Sequence, residues 1–147
     1  MSEPPLSVRR AVQAMKAGMV ASLAGIAVNL TSANSVRPMI AKLEPNASPA
    51  QVTADQRVFF GELIAAGLLE AALWLWMAQS CREGKGWART LSTVVFAIYT
   101  VWTVATVAGG ASGIDLIYSV LVWLIGLAAV RFLWQGSSSE YFRKSAR

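Results

Sequence analysis

Two carboxylates, Glu62 and Glu70, are the side chains best suited to chemistry in this sequence, because they interrupt the apolar run GELIAAGLLEAALWLWMAQS at residues 61–80. Eight residues separate them, which places them about 80° apart around a helix and therefore on one broad face. An ionisable residue inside so apolar a segment is by default a candidate for proton or cation coupling. We expect Glu70, near the middle of the run, to be the stronger candidate, whereas Glu62 lies near one end, where water can hydrate it.

Residue types that the chain lacks narrow the chemistry further. The sequence contains no histidine and a single cysteine, Cys81. One cysteine forms neither an internal disulfide nor a CxxC redox centre, and without histidine the usual zinc, haem and proton-shuttle sites are excluded. No serine is accompanied by a base, and no acidic cluster has metal-ligand spacing. The sequence therefore predicts no catalytic residue, no metal and no cofactor.

The composition indicates which elements must position the carboxylates. Apolar residues make up 55% of the 147 residues and charged residues 14%, whereas about a quarter of the residues are charged in typical soluble proteins. The apolar residues form four runs of about 20 residues, each long enough to cross a hydrocarbon core of roughly 30 Å as a helix. We expect an all-α fold, an integral membrane four-helix transmembrane bundle in a single domain, with spans at approximately 12–33, 58–80, 87–108 and 114–134.

The distribution of Lys and Arg predicts how the bundle is oriented. Ten of these residues lie near the N-terminus, around the loop between spans two and three, and near the C-terminus; three lie in the loop 34–57. Because cytoplasmic loops carry the excess of positive charge, both termini are expected in the cytoplasm and the loop 34–57 outside. Alternatively, the first run is a cleavable signal peptide, because its start is basic and the small residues TSANS follow it.

Short motifs between the spans predict local structure. Ser48 is a suitable N-cap and Pro49 a suitable first helical residue, so a helix should begin there and run into span two. The segment SVRPMIAKL predicts a short interfacial helix, and Gly84 and Gly86 predict a tight turn. The two terminal tails are expected to be short and mobile.

Small residues predict where the helices approach each other. Lipid supplies no hydrophobic force between helices, so close packing of small side chains holds a bundle together. At 3.6 residues per turn, one face of span one and one stripe of span four are small or polar. The span-one face comprises Ala14, Gly18, Ala21, Gly25, Asn29 and Ser32, with Ser22 at its edge; the span-four stripe comprises Asp115, Ser119, Gly126 and Ala129. This pattern does not distinguish a partner helix of the same chain from one of another chain.

Glu70 requires a polar environment if it lies at mid-membrane. A charge there costs roughly 2.5–3.5 kcal/mol on insertion scales. We expect a neutral Glu70, hydrogen-bonded to polar side chains of other spans and lying on an inward face with Ala66, Leu69, Leu73 and Met77. The candidate partners are Thr93, Thr100, Asn29 and Ser22. For each threonine, the alternative is a hydrogen bond to the carbonyl one turn back in its own helix.

Three tracts carry a resemblance to a known group of proteins. LSVRRAVQAMKAGM at the start, LWLWMAQSCREGKGWARTLSTVVF across the second loop, and LVWLIGLAAVRFLWQGSSSEYF at the end resemble small four-span integral membrane proteins of actinobacteria. The resemblance runs over most of the chain and is most specific from Trp74 to Thr93. It implies a four-span bundle in a bacterial plasma membrane and implies no activity.

The interpretation that follows is a small non-enzymatic membrane protein, a subunit or scaffold that associates through its small-residue faces. Its expected partners are membrane lipid and a homo-oligomer or larger membrane complex; no basic block with interleaved aromatics indicates nucleic acid. The alternative is a small proton- or cation-coupled transporter or channel that uses Glu70. Four spans with one membrane carboxylate resemble the small multidrug-resistance transporters in architecture, although span one, which carries the essential Glu in those proteins, contains no acid here. An enzyme acting on lipid has the least support.

Overall fold

The computed structural model describes residues 3–31, 33–110 and 113–145, except for the side chains of residues 33–35 and 115. Within these ranges the chain forms six α-helices and no strand. The helices are α1 (Leu6–Thr31), α2 (Ala33–Leu43), α3 (Pro49–Arg82), α4 (Gly86–Ala108), α5 (Ile114–Leu133) and α6 (Gly136–Ser145).

Four of these helices are long and apolar enough to cross a membrane. They are α1 with 26 residues, α3 with 34, α4 with 23, and the Leu116–Leu133 part of α5 with 18. At 1.5 Å per residue, even the shortest approaches the roughly 30 Å of a hydrocarbon core. The prediction of an all-α fold with four helices long and apolar enough to cross a membrane is thereby confirmed for the described residues.

Helix α1 begins at Leu6, six residues before the predicted start of the first span. The extra turns are amphipathic, with Arg9 and Arg10 exposed. On the opposite face Val8, Ala11 and Met15 are at most 1% exposed. Their spacing of three and four residues forms one helical stripe, so packing holds as a helix a segment that hydropathy alone would assign to the tail.

Helix α3 begins where the sequence predicted. The Ser48 backbone N–H donates to Gln51 Oε1 at 2.7 Å, and the Gln51 N–H donates to Ser48 Oγ at 3.3 Å. These reciprocal bonds form a capping box that satisfies two backbone donors at the helix start. The prediction that the helix beginning at Pro49 continues into span two is confirmed.

The turn between α3 and α4 depends on Gly84, whose φ of 75° lies in the left-handed region that favours glycine. The Lys85 N–H donates to the Ser80 carbonyl and the Gly84 N–H to the Cys81 carbonyl, both at 3.1 Å. This pair of bonds is a Schellman motif, which ends a helix and reverses the chain. The predicted tight turn is therefore present.

Helix α6 was not predicted, and the expectation of a mobile C-terminal tail is wrong for residues 136–145. Ser138 and Phe142, one turn apart, are 0% and 5% exposed. The Tyr141 hydroxyl also donates to the Arg82 carbonyl at 2.8 Å. A tail with these three attachments is ordered by packing, because an isolated helix of ten residues is marginal in water.

The chain divides into two compact units. The first comprises residues 1–19 and 72–147, and the second comprises residues 20–71. The first unit contains a hydrophobic cluster at the start of α1, the end of α3, the start of α4, the end of α5 and α6. Its buried members are Val8, Ala11, Val12, Met15, Met77, Ala78, Cys81, Ala88, Ala129, Leu133 and Phe142.

Candidate functional site

Glu70 lies on α3 with its side chain partly exposed, and Glu62 on the same helix is exposed. Among the residues that the structure describes, none makes a hydrogen bond or an ion pair with either carboxylate. Glu70 follows Pro49 by 21 residues and precedes Arg82 by 12, so at 1.5 Å per residue it lies about 18 Å from the end of the helix. In a helix that crosses a hydrocarbon core of roughly 30 Å with its end at the surface, a residue at this distance lies near the middle of the core.

The face of α3 expected to point inward is exposed over its first half. Ala66 is exposed and Leu69 is 64% exposed, whereas Met77 is 2% exposed. Gly67 gives the reason within the second unit, because a Cβ added there would lie 2.5 Å from Ile26 Cγ1 on α1. Helix α3 therefore turns Gly67 toward α1. At 100° per residue, Leu69 then points about 160° away from that contact.

Glu70 occupies a boundary position in this arrangement. It lies about 60° from Gly67 around the helix, at the flank of the face that packs on α1. Glu62 lies about 140° from Gly67 and points out of the chain, as its exposure shows. The two acids therefore share a side of α3, but only Glu70 reaches the edge of the packed surface.

The side chains proposed to bind Glu70 donate their hydrogens elsewhere. Thr93 Oγ1 donates to the Arg89 carbonyl at 2.9 Å, and Thr100 Oγ1 donates to the Phe96 carbonyl at 2.8 Å. Each hydroxyl has one hydrogen, so neither threonine donates to a carboxylate. The alternative interpretation of both threonines is confirmed.

The remaining polar candidates are Asn29, Ser22 and Asp115. Asn29 Nδ2 donates to the Gly25 carbonyl in its own helix at 2.9 Å. Ser22 is 1% exposed. Asp115 lies in the first turn of α5, and its side chain is outside the described residues.

The small residues pack within the chain. A Cβ added to Gly18 would lie 2.7 Å from the Trp74 ring in the first unit, and one added to Gly126 would lie 2.8 Å from Phe96 Cδ2. In the second unit Ser22 and Gly25 are buried, and the Ser22 carbonyl lies 3.9 Å from a Cβ added to Gly67. These faces are therefore filled by the protein's own side chains.

The sequence interpretation missed an aromatic and polar cluster where α4 begins and α5 ends. The Arg89 guanidinium carbon lies 3.7 Å from the centroid of the Trp134 ring, and the indole Nε1 donates to Thr93 Oγ1 at 2.9 Å. Arg89 Nη1 also donates to Ser139 Oγ at 3.0 Å, which ties the cluster to α6. The four-residue spacing of Arg89 and Thr93, one helical turn, was the signal available in the sequence.

A chain of serine hydroxyls joins the N-termini of α1 and α6. Ser138 Oγ lies 2.7 Å from Ser7 Oγ and 2.8 Å from the Phe132 carbonyl oxygen, and Ser7 Oγ lies 2.8 Å from Ser137 Oγ. The Ser138 hydroxyl is the donor in both of its bonds, so Ser7 Oγ and the Phe132 carbonyl share its single hydrogen as acceptors, and in the bond between Ser7 and Ser137 either hydroxyl can donate. The relay satisfies two buried hydroxyls, since Ser7 is 4% and Ser138 0% exposed.

Other reactive groups are placed as follows. Cys81 is a free thiol, 0% exposed, within the cluster of the first unit. The exposed Glu83 carboxylate lies 2.6 Å from Lys85 Nζ, and this hydrogen-bonded cation lowers the pKa of Glu83. Over the described part of the chain, no three His, Cys, Asp or Glu side chains are grouped so that they could hold a metal ion.

Comparison with known proteins gives no family model, no curated protein and no solved structure that matches this chain.

Proposed function

We propose that the protein is a non-enzymatic subunit or scaffold of a complex in a bacterial plasma membrane, with both termini in the cytoplasm. The orientation is supported by the ten Lys and Arg residues near the termini and the second loop, against three in the loop 34–57. The resemblance to small four-span actinobacterial proteins supports the choice of membrane.

The observation that carries this proposal is the state of Glu70. Its carboxyl is partly exposed near the middle of a spanning helix, and no side chain in the described ranges bonds to it. Left against acyl chains, the charged form would cost roughly 2.5–3.5 kcal/mol. A helix of a partner chain that donates a hydrogen bond at this depth removes that cost, and the partner is either a second copy or a different protein.

The position of Glu70 also defines where such a partner binds. The faces around Gly18 and Gly126 are occupied by Trp74 and Phe96, so they serve packing within the chain. The exposed strip of α3 beside Glu70 begins with Ala66 and continues to Leu69. Ala66, whose side chain is a single methyl group one turn before Glu70, allows a second helix to approach the carboxyl closely.

The proposal is tested by purifying the protein in mild detergent and measuring the mass of the complex. We expect a stoichiometric complex for the wild type and for Glu70→Gln, which retains hydrogen-bonding groups. Glu70→Leu should weaken association at least tenfold, because it leaves the partner's donor unpaired. Glu62→Leu removes the same charge from an exposed position of the same helix and should leave the complex intact.

Two results would contradict the subunit role. One is a wild-type protein that is monomeric in lipid nanodiscs as well as in detergent. The other is a complex that survives Glu70→Leu unchanged, since the carboxyl would then contribute nothing to association.

Coupled transport is the second candidate, and the partial exposure of the Glu70 carboxyl favours it, because a group that reaches the chain surface can exchange a proton. In that case Glu70→Gln abolishes a proton-linked flux in proteoliposomes while leaving the amount of folded protein unchanged. The subunit role predicts that the wild type shows no proton-linked flux. It also predicts that Glu70→Gln still associates with its partner.

A further inference from the structure

A cationic groove, defined by two adjoining cavities in the first unit, is not used by the proposed subunit role. The cavities have volumes of about 310 and 590 Å³, and they share Glu3, Pro4, Val12, Lys16 and Arg82 in their walls. Arg9 adds a second guanidinium to the smaller cavity. Leu75 and Ala78 extend the wall of the larger cavity.

The charge of the groove favours an anion. Arg9, Lys16 and Arg82 make no ion pair with any residue in the described ranges. Two carboxylates oppose them, Glu3 and Glu83, and Glu83 is already bound by Lys85 at 2.6 Å. Lys85, which does not line the groove, neutralises Glu83. The three cations of the groove therefore face one remaining carboxylate, that of Glu3.

The cations lie on a rigid frame. Arg9 and Lys16 are seven residues apart on α1, which places them on one face with about 10 Å between their turns. Arg82 is held at the end of α3, because its carbonyl accepts the Tyr141 hydroxyl at 2.8 Å. The three basic side chains thus project from backbone positions that packing fixes.

The groove is apolar next to its charges, and this selects the class of ligand. Val12 and Ala78 are members of the hydrophobic cluster, and Leu75 is 46% exposed beside them. A small soluble anion makes no apolar contact with such a wall, whereas the glycerol and acyl portion of a phospholipid does. Basic pockets between membrane-spanning helices bind acidic headgroups through this combination of charge and apolar surface.

We propose that this groove binds the phosphate headgroup of an anionic phospholipid, with Arg9, Lys16 and Arg82 contacting the phosphate oxygens and Val12, Leu75 and Ala78 contacting the lipid chain. The site requires only the first unit, so it does not depend on a protein partner at Glu70. It also does not depend on which side of the membrane the termini occupy, since both leaflets supply phosphates.

The test is native mass spectrometry of the full-length protein in nonionic detergent, titrated with phosphatidylglycerol or with phosphatidylcholine of the same acyl chains. We expect phosphatidylglycerol to bind with one-to-one stoichiometry and at least tenfold more tightly. The variant Arg9→Gln/Lys16→Gln/Arg82→Gln should lose this preference, because each basic residue near a lipid headgroup contributes about fivefold in affinity. The matched control is Arg10→Gln/Arg143→Gln/Lys144→Gln, which removes three exposed charges outside the groove and should retain it.

Several results would overturn the proposal. An equal loss in the control would show that net charge, and not the groove, attracts the lipid. A groove variant that still prefers phosphatidylglycerol would show that the lipid does not bind in the groove. Displacement of the lipid by millimolar inorganic phosphate or by an acidic peptide would contradict the choice of a lipid. If the triple variant folds poorly, the single variant Arg9→Gln replaces it, because the Arg9 side chain is exposed. This variant should bind phosphatidylglycerol several-fold more weakly than the wild type.

Discussion

The indole ring of Trp74 packs directly on Gly18, so that a Cβ added to Gly18 would lie 2.7 Å from both Cδ2 and Cε2 of the ring. Helices α1 and α3 can therefore approach each other in the first unit only because residue 18 has no side chain. A third ring atom, Trp74 Cζ2, would lie 3.0 Å from the added Cβ, so the indole covers the position that a side chain at residue 18 would occupy.

Gly18→Ala should destabilise the protein by about 1–3 kcal/mol, since a methyl group forced into a packed contact displaces its neighbours. Gly61→Ala is the matched control, because nothing lies within 4 Å of a Cβ at residue 61. It should change stability by less than about 1 kcal/mol and in the stabilising direction, as alanine favours helix. Thermal unfolding in detergent measures both, and equal effects would contradict the close contact.

Ser138→Ala should cost about 1–3 kcal/mol, because it removes a buried hydroxyl that bonds both Ser7 and the Phe132 carbonyl. Ser145→Ala makes the same change at an exposed serine of α6 outside the relay, whose hydroxyl bonds the Tyr141 carbonyl of its own helix, and should cost less than about 0.5 kcal/mol. Hydrogen exchange of α6 amides, compared between the two variants, measures the difference. Similar exchange in both would show that the relay does not hold α6 in place.

Arg89→Lys should lower stability by about 1–2 kcal/mol, because an ammonium group cannot reproduce the stacking of the guanidinium on Trp134. The exposed Arg131 of α5 provides the control substitution Arg131→Lys, which we expect to be neutral. A thermal unfolding series that adds Trp134→Leu completes a double-mutant cycle. Additive effects of Arg89→Lys and Trp134→Leu would contradict a direct interaction.

The architecture could be predicted from sequence because length and apolarity alone decide whether a helix can cross a membrane. The start of α3 at Ser48 and the turn at Gly84 were also predictable, since both depend on residues adjacent in the chain. These features require no knowledge of what packs against them.

The rotation of α3 and the existence of α6 could not be predicted in this way. Periodicity placed Ala66 and Leu69 on an inward face, but the contact of Gly67 with Ile26 turns that face outward. Residues 136–145 have a polar composition typical of a mobile tail, and only the burial of Ser138 and Phe142 reveals a docked helix. Both errors concern tertiary contacts, which hydropathy does not encode.

The proposed orientation, with both termini in the cytoplasm, predicts which loops an impermeant maleimide reaches in intact cells. A cysteine introduced at the exposed Asn46, between α2 and α3, should be labelled from outside. A cysteine at the exposed Lys144 in α6 should react only after the membrane is permeabilised. The native Cys81 is 0% exposed and should contribute little background. The reverse labelling pattern would contradict cytoplasmic termini.

The partner of Glu70 is tested most directly by a photoreactive amino acid at Ala66, one turn before it on the exposed strip of α3. Ala97, an exposed alanine of α4, is the matched control position. In native membranes the probe at Ala66 should give a discrete protein cross-link that persists in Glu70→Gln and disappears in Glu70→Leu, whereas the probe at Ala97 should give lipid adducts. Lipid adducts alone from both positions would contradict a partner helix at Glu70.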